Sequence, residues 1–314
     1  MDIRNNHEKE ERLGRSMQTD YGQEMVSILK IDNMKDICRC IKQGISAIGG
    51  LALQRDSVIL IKPNLCCIKP PETGATTDVR IVEGLIGYLK SEFNVDDISI
   101  IESDGSQVLA DMAFRLLGYE KMAERQNVKL VNLSRAPCTI RGFPSNVFLK
   151  KLRIPTIIRD ADFLISVPKI KTHANCSFTG VLKNQFGCNP YPRKSVYHKR
   201  LNDAIVDLNA AFRPNLVVVD GIVAMEGYRG PTDGVPIRMN LLICGKDPVA
   251  VDYAIANIMG IDPATVPYLL EARRRGIGKS EFEITGIGLN EVSRRFRTTR
   301  PRWRNLLGLL QQDQ

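Results

Sequence analysis

Short β-branched apolar runs alternate along this chain with stretches of helical periodicity, and that alternation narrows the fold more than any other feature of the sequence. The compact runs are SVILIK (57–62), ISIIE (98–102), KLVNL (129–133), FLISV (163–167), NLVVVD (215–220) and RMNLLICG (238–245). Each is short and bounded by polar or turn-forming residues, as a strand buried in a sheet requires. Between them, Met34, Ile37, Ile41, Ile45 and Ile48 recur at helical spacing, which predicts a helix over 34–48 ended by Gly49-Gly50. Further helices are expected over 78–91 with Asp78 as its cap, 106–126, 175–186, 199–212, 248–260 and 264–275. Strands alternating with helices of this length predict an α/β fold: a doubly wound, mostly parallel sheet with helices on both faces. Residues 134–160, with Pro137, Pro144 and Pro155, read as an excursion or small subdomain, and a division into two lobes would fall near residue 150.

The ends differ from this body. Residues 1–20 are charged, poor in core formers, and read as a flexible leader without the apolar segment of a signal peptide. The formal net charge is +9, but six arginines lie between Arg294 and Arg304, so the remainder carries 9 − 6 = +3. The basic character is therefore concentrated in the tail, 294–314. That tail is suited to nucleic acid, an anionic membrane or an acidic partner, or to packing of Phe296 and Trp303 on the body. No run approaches the ~18 apolar residues of a membrane span, so a cytoplasmic protein is the expectation. Eight cysteines are scattered without a C-x-x-C pair, and an iron–sulfur cluster is not expected. Cys66-Cys67 is the one adjacent pair; on an extended segment the two side chains would point to opposite faces.

In open parallel sheets, ligands bind where loops converge at the strand carboxyl ends. Four strands here are followed by polar groups at that position: Lys62 and Asn64; Glu102, Ser103 and Asp104; Lys169 to His173; and Asp220 with Glu226. In PKIKTHANCSFTGVLKNQFG (168–187), Lys169, Lys171 and His173 share one side of an extended segment, and Thr179 and Lys183 share a helical face. Lys62, Asn64, Lys169, Thr172 and Asn184 are the expected substrate-binding residues, for a small anionic carboxylate or phosphate. Lys171, then Lys183, is the expected reactive lysine, with His173 as general acid or base near neutral pH. Asp104, Asp220 and Glu226 would be oxygen ligands if a divalent metal took part. Asp247 precedes Pro248 as a helix cap. Asp252 is the single charge in PVAVDYAIANIMGI and must be paired, protonated or metal-bound. No G-x-S-x-G, Walker A or G-x-G-x-x-G motif is present, and GCNPYPRKSVYHKR (187–200) reads as a basic loop over the site.

Taken together, KPN (62–64), VPKIKTH (167–173), GVLKNQFG (180–187), AIVDLNAAFRPNLVVVDGIVAMEG (204–227) and DPVAVD (247–252) resemble the domain of unknown function 362 family, from about Val26 to about Arg300. The resemblance implies a fold and a site but no reaction. Some members carry ferredoxin-type iron–sulfur modules, which this sequence lacks. The expectation is an enzyme of undetermined reaction class that acts on a small anionic metabolite through a lysine-rich pocket, with a divalent metal admitted as a helper. The alternatives are a redox-associated or iron–sulfur-linked protein, or a protein that binds nucleic acid or another partner through the arginine tail.

Overall fold

A computed structural model describes residues 23–298; the expected leader and most of the arginine tail, Trp303 included, lie outside them. The strands are β1 (Glu24–Lys30), β2 (Ile59–Pro63), β3 (Ile98–Glu102), β4 (Lys129–Asn132), β5 (Cys138–Gly142) and β6 (Lys151–Pro155). They continue with β7 (Phe163–Val167), β8 (Lys169–His173), β9 (Ser177–Thr179), β10 (Leu216–Glu226), β11 (Val235–Gly245) and β12 (Phe282–Gly286). The helices are α1 (Ile37–Ala47), α2 (Val79–Phe93), α3 (Ala110–Leu116), α4 (Tyr119–Gln126), α5 (Thr156–Asp160) and α6 (Val181–Asn184). After them come α7 (Leu201–Ala211), α8 (Pro248–Ile258), α9 (Pro267–Arg274) and α10 (Leu289–Val292).

Ten strands form one sheet whose main path runs β12-β1-β11-β10-β7-β2-β3-β4. Pairing is parallel from β10 through β7, β2 and β3 to β4, and antiparallel where β11 meets β10 and β1. The mostly parallel α/β sheet is thus observed. Alternate residues of each strand feed two separate cores, as the two-residue period of a strand demands. Leu60, Val217, Val219 and Ile243 pack with α7, α8 and α9 on one face, while Ile59, Ile61, Val218 and Leu242 pack with α1 and α2 on the other. Strands from before and after residue 150 sit side by side, β2 beside β7 and β1 beside β11.

Several elements depart from the sequence reading. β12, the edge strand, and its neighbour β1 are absent from it, because polar residues interrupt their apolar runs. The single helix expected over 106–126 is two, α3 and α4, separated at Leu117-Gly118. Within 134–160, β5 and β6 form a separate antiparallel pair followed by α5. Residues 175–186 do not form one helix: β8 and β9 make an antiparallel hairpin, and only then does the short α6 begin. β10 and β11 each run for 11 residues, and β8 pairs with the far part of β10, carrying a small extension past the carboxyl edge of the parallel strands.

Candidate functional site

The parallel strands end in two buried ion pairs. Lys62, at the end of β2, donates to Glu102 Oε2 at the end of β3 over 2.7 Å. The same ammonium reaches the Pro63 carbonyl and, at 3.5 Å, Asn184 Oδ1, so its three donors are all engaged. Lys169 at the start of β8 donates to Asp220 Oδ2 on β10 over 3.0 Å, and both side chains are fully buried. Asp220 also accepts from the backbone N–H groups of Asp78 and Ile222. These two lysines are neutralised by partners of their own. They hold strand ends together and leave no free charge for a substrate.

Lys171 is buried as deeply but has no carboxylate. It donates to Asn64 Oδ1 (2.7 Å), the Ala75 carbonyl (2.6 Å) and the Cys66 sulfur (3.1 Å). Of the two asparagines expected to orient a substrate, Asn64 accepts from this lysine and Asn184 holds Asn64 in place. Asn64 Nδ2 donates to Asn184 Oδ1 at 3.0 Å, and Asn184 Nδ2 donates to the Lys62 carbonyl and to Ser166 Oγ. All three donors of Lys171 are engaged, one of them by the neighbouring sulfur.

Cys66 and Cys67 do not point to opposite faces. The chain bends directly after β2, and the Cys67 thiol turns to donate a hydrogen bond to Cys66. That bond, followed by the charge and hydrogen bond of Lys171, holds the Cys66 thiol down at about 5 against the opposing effect of burial. Donating to Cys66, together with burial, raises Cys67 in the opposite direction. The pair is thus polarised toward Cys66, whose sulfur also lies 3.8 Å from the Ala75 carbonyl. Cys176, Cys188 and Cys244 are pushed up to about 12 by burial, which leaves them inert core thiols.

Three further groups face this sulfur and lysine. Lys183, on α6, has its ammonium 3.8 Å from the centroid of the Phe186 ring and no carboxylate partner among the described residues. Burial, reinforced by the like charges of Lys171 and Lys62, lowers its affinity for a proton. Thr179 stands opposite Lys171 in the β8–β9 ladder and therefore on the same face. Its hydroxyl is buried with no hydrogen-bond partner. His173 lies two residues beyond Lys171 on that side. Burial first, then the charges of Lys183, Lys171 and His198, depress it to about 2. The imidazole is therefore held in its neutral form near neutral pH. Its Nδ1 accepts from the Asn175 N–H at 3.1 Å, which leaves the proton on Nε2. From the 187–200 loop, Lys194 donates to Ser103 Oγ at 2.6 Å, and burial holds that ammonium down at about 8.

The remaining sequence candidates are used elsewhere. Thr172 alternates to the back of β8 and donates to the Gly227 carbonyl. Asp104 accepts from the Ala110 N–H and Asn132 Nδ2, and Glu226 is bound by the backbone and guanidinium of Arg297. Asp104, Asp220 and Glu226 therefore do not converge, and no group of three or more His, Cys, Asp or Glu side chains among the described residues could hold a metal ion. The Arg297 contact, with Phe296 buried, fastens the first part of the basic tail to the body.

Asp247 caps α8 through the Val249 and Ala250 N–H groups. Asp252 is satisfied by backbone alone, accepting from the N–H groups of Val181 (2.6 Å) and Leu182 (3.0 Å) at the start of α6. Burial still pushes its carboxyl up to about 7. Glycine is required at both ends of this segment: a Cβ on Gly180 would lie 2.0 Å from Asp252 Oδ1, and one on Gly187 2.0 Å from Lys62 Cε. Sequence reasoning brought Lys62, Asn64, Lys171, Lys183 and Asn184 to one place, but assigned no role to Cys66 and did not see that Thr179 is left unbonded. The signal for Cys66 was its position two residues after the KPN motif.

A parallel α/β sheet with its polar cluster at the strand carboxyl ends is a ligand-binding architecture. The family described as "Domain of unknown function (DUF362)" matches residues 59–257, more than half of the chain, and the chain belongs to that family. The thylakoid-associated protein sll1697 of Synechocystis sp. (strain ATCC 27184 / PCC 6803 / Kazusa) is 36% identical over 141 residues, 43% of this chain and 44% of that protein. The chain thus spans less than half the length of that relative. Among solved structures, the lactate racemase apoprotein from Thermoanaerobacterium thermosaccharolyticum matches with a TM-score of 0.41 and 14% identity, covering 77% of this chain and 58% of that one. No helix among the described residues is long and apolar enough to cross a membrane.

Proposed function

We propose that this chain is an enzyme acting on a small anionic molecule, a carboxylate or a phosphate, bound between the β8–β9 hairpin, α6 and the loop that follows β2. One observation carries the reading: the buried hydroxyl of Thr179 has no hydrogen-bond partner among the described residues, and Lys183, in the short helix that follows, has no carboxylate partner there. Buried polar groups are almost always satisfied, and an orphaned hydroxyl in a site that also carries a cation without a carboxylate fits an acceptor-rich anion. Lys183 supplies the charge, Thr179 a directional hydrogen bond, and neutral His173 a second donor. Lys62 and Lys169 contribute by rigidity alone, since their charges are cancelled locally.

The test is a thermal-shift screen of small carboxylates and phosphates at equal ionic strength. A ligand present at about 100 times its Kd stabilises the fold by about 2.7 kcal/mol. The stabilisation should disappear in Lys183→Met and weaken in Thr179→Val, while Lys42→Met, at a distant exposed pair, retains it. Shifts that persist in folded Lys183→Met would place the anion elsewhere.

A further inference from the structure

The loop after β2 holds a group that anion binding alone does not use. The Cys66 sulfur is 3.1 Å from the Lys171 ammonium and receives a hydrogen bond from Cys67. The residue is only partly buried, unlike Cys176, Cys188 and Cys244 in the core. Lys171 in turn is fixed by Asn64 Oδ1 and the Ala75 carbonyl, which leaves its third donor for the sulfur. Such an arrangement activates a thiol: a cation stabilises the thiolate, a second S–H solvates it, and the surrounding donors face the same side.

We infer that Cys66 is the nucleophile of this site, and that its substrate class is a small carbonyl compound bearing a carboxylate or phosphate. The choice of an anionic electrophile rests on the proposed function; the nucleophile itself does not. In the step, a lone pair of the Cys66 thiolate forms a C–S bond and the carbonyl π pair moves onto oxygen. That oxygen takes a proton from water, and no net oxidation occurs. The Thr179 hydroxyl and the Nε2–H of His173 are the donors available to the developing oxyanion. The charged and titratable groups facing Cys66 are Lys171 from β8, Lys183 from α6, Glu102 from β3 and Cys67 from its own loop.

Alkylation separates the two parts of this inference. The native full-length chain is treated with iodoacetamide or iodoacetate between pH 6 and 8, then quenched, unfolded and digested, and each cysteine peptide is quantified by mass. Both reagents form a C–S bond as iodide leaves with the electron pair. The expected result is a Cys66 rate that is flat across this range, whereas the exposed Cys38 accelerates about tenfold per pH unit, as an ordinary thiol does. Lys171→Met should convert the Cys66 profile to that ordinary slope, and Lys171→Arg should keep it flat. If Lys171→Met fails to fold, Cys67→Ala tests the same point, since loss of the S–H donor shifts the profile to higher pH.

A Cys66 profile rising tenfold per unit in the wild type, or no Cys66 labelling while Cys38 is consumed, would overturn the nucleophile. Iodoacetate, an anion, reacts no faster than iodoacetamide with an unassisted thiolate. A preference of several-fold for iodoacetate at Cys66, lost in Lys183→Met, would support the anionic substrate. A flat profile without that preference would keep the nucleophile and overturn the anion-binding reading.

Discussion

Lys62 and Lys169 sit at the same edge of the sheet as Lys171 and Lys183, and the four come from three neighbouring motifs, yet they do opposite work. The first two lie against carboxylates, Glu102 and Asp220, in pairs that are almost wholly buried. The latter two have no carboxylate: one holds a sulfur and the other faces an aromatic ring. Lys62, Lys169 and Lys171 are buried and Lys183 is half-buried. What differs is whether the charge is cancelled on the spot, and only an uncancelled charge is available to a ligand.

The sharpest way to break this contrast is to remove a paired lysine. Lys169→Met leaves Asp220 buried without its counter-ion and should cost about 3–5 kcal/mol, read as a lowered urea midpoint. Survival of Lys169→Met at wild-type stability would mean that the pair is not structural.

A comparable effect is expected from pH at Asp252, the buried carboxylate that has amides instead of a cation. Its folded value, about 7, is raised by burial above the ordinary aspartate value of 3.8, so the folded chain holds a proton the unfolded chain has lost. Stability from this group is fully present below about pH 4 and is lost as pH rises through about 7, by about 4 kcal/mol in total. Asp252→Asn should remove that slope from a plot of unfolding midpoint against pH, even though its amide serves the two N–H groups of α6 less well. An unchanged slope would show that another group titrates there.

Smaller is the expected effect of Lys183→Met. Replacing a half-buried cation that lacks a carboxylate partner among the described residues should leave stability unchanged or raise it by about 1 kcal/mol, while anion-dependent stabilisation is lost. A marked destabilisation would move Lys183 into the structural set with Lys62. The smallest change is expected at the exposed Lys42–Glu92 pair, where Lys42→Ala should shift the urea midpoint by no more than about 0.5 kcal/mol.

Much of this molecule is legible in its sequence because local periodicity and tertiary need coincide. FLISV and NLVVVD are buried on both faces, and the apolar runs say so directly. Asp78 and Asp247 cap their helices as their positions before Val79 and Pro248 require. The stretch after Pro168 was read less well. Its lysines and histidine alternate as in a strand, but the hairpin with β9 depends on pairing that the local pattern does not specify.

The chemistry shows the same division. Sequence position alone determined that Lys62, Asn64, Lys171, Lys183 and Asn184 lie near the carboxyl ends of parallel strands, because the strand runs locate those ends. It also determined that Asp252 needs a partner, since an isolated charge in an apolar helix is too costly to leave bare. Only the tertiary structure decided which partner: the amides of Val181 and Leu182, from a segment some 70 residues away. It likewise decided that Glu102 cancels Lys62, that Asp220 cancels Lys169, and that Lys171 is left to Cys66. The physical reason is range. Periodicity and capping act within a few residues, whereas charge compensation is settled by contacts between strands far apart in sequence.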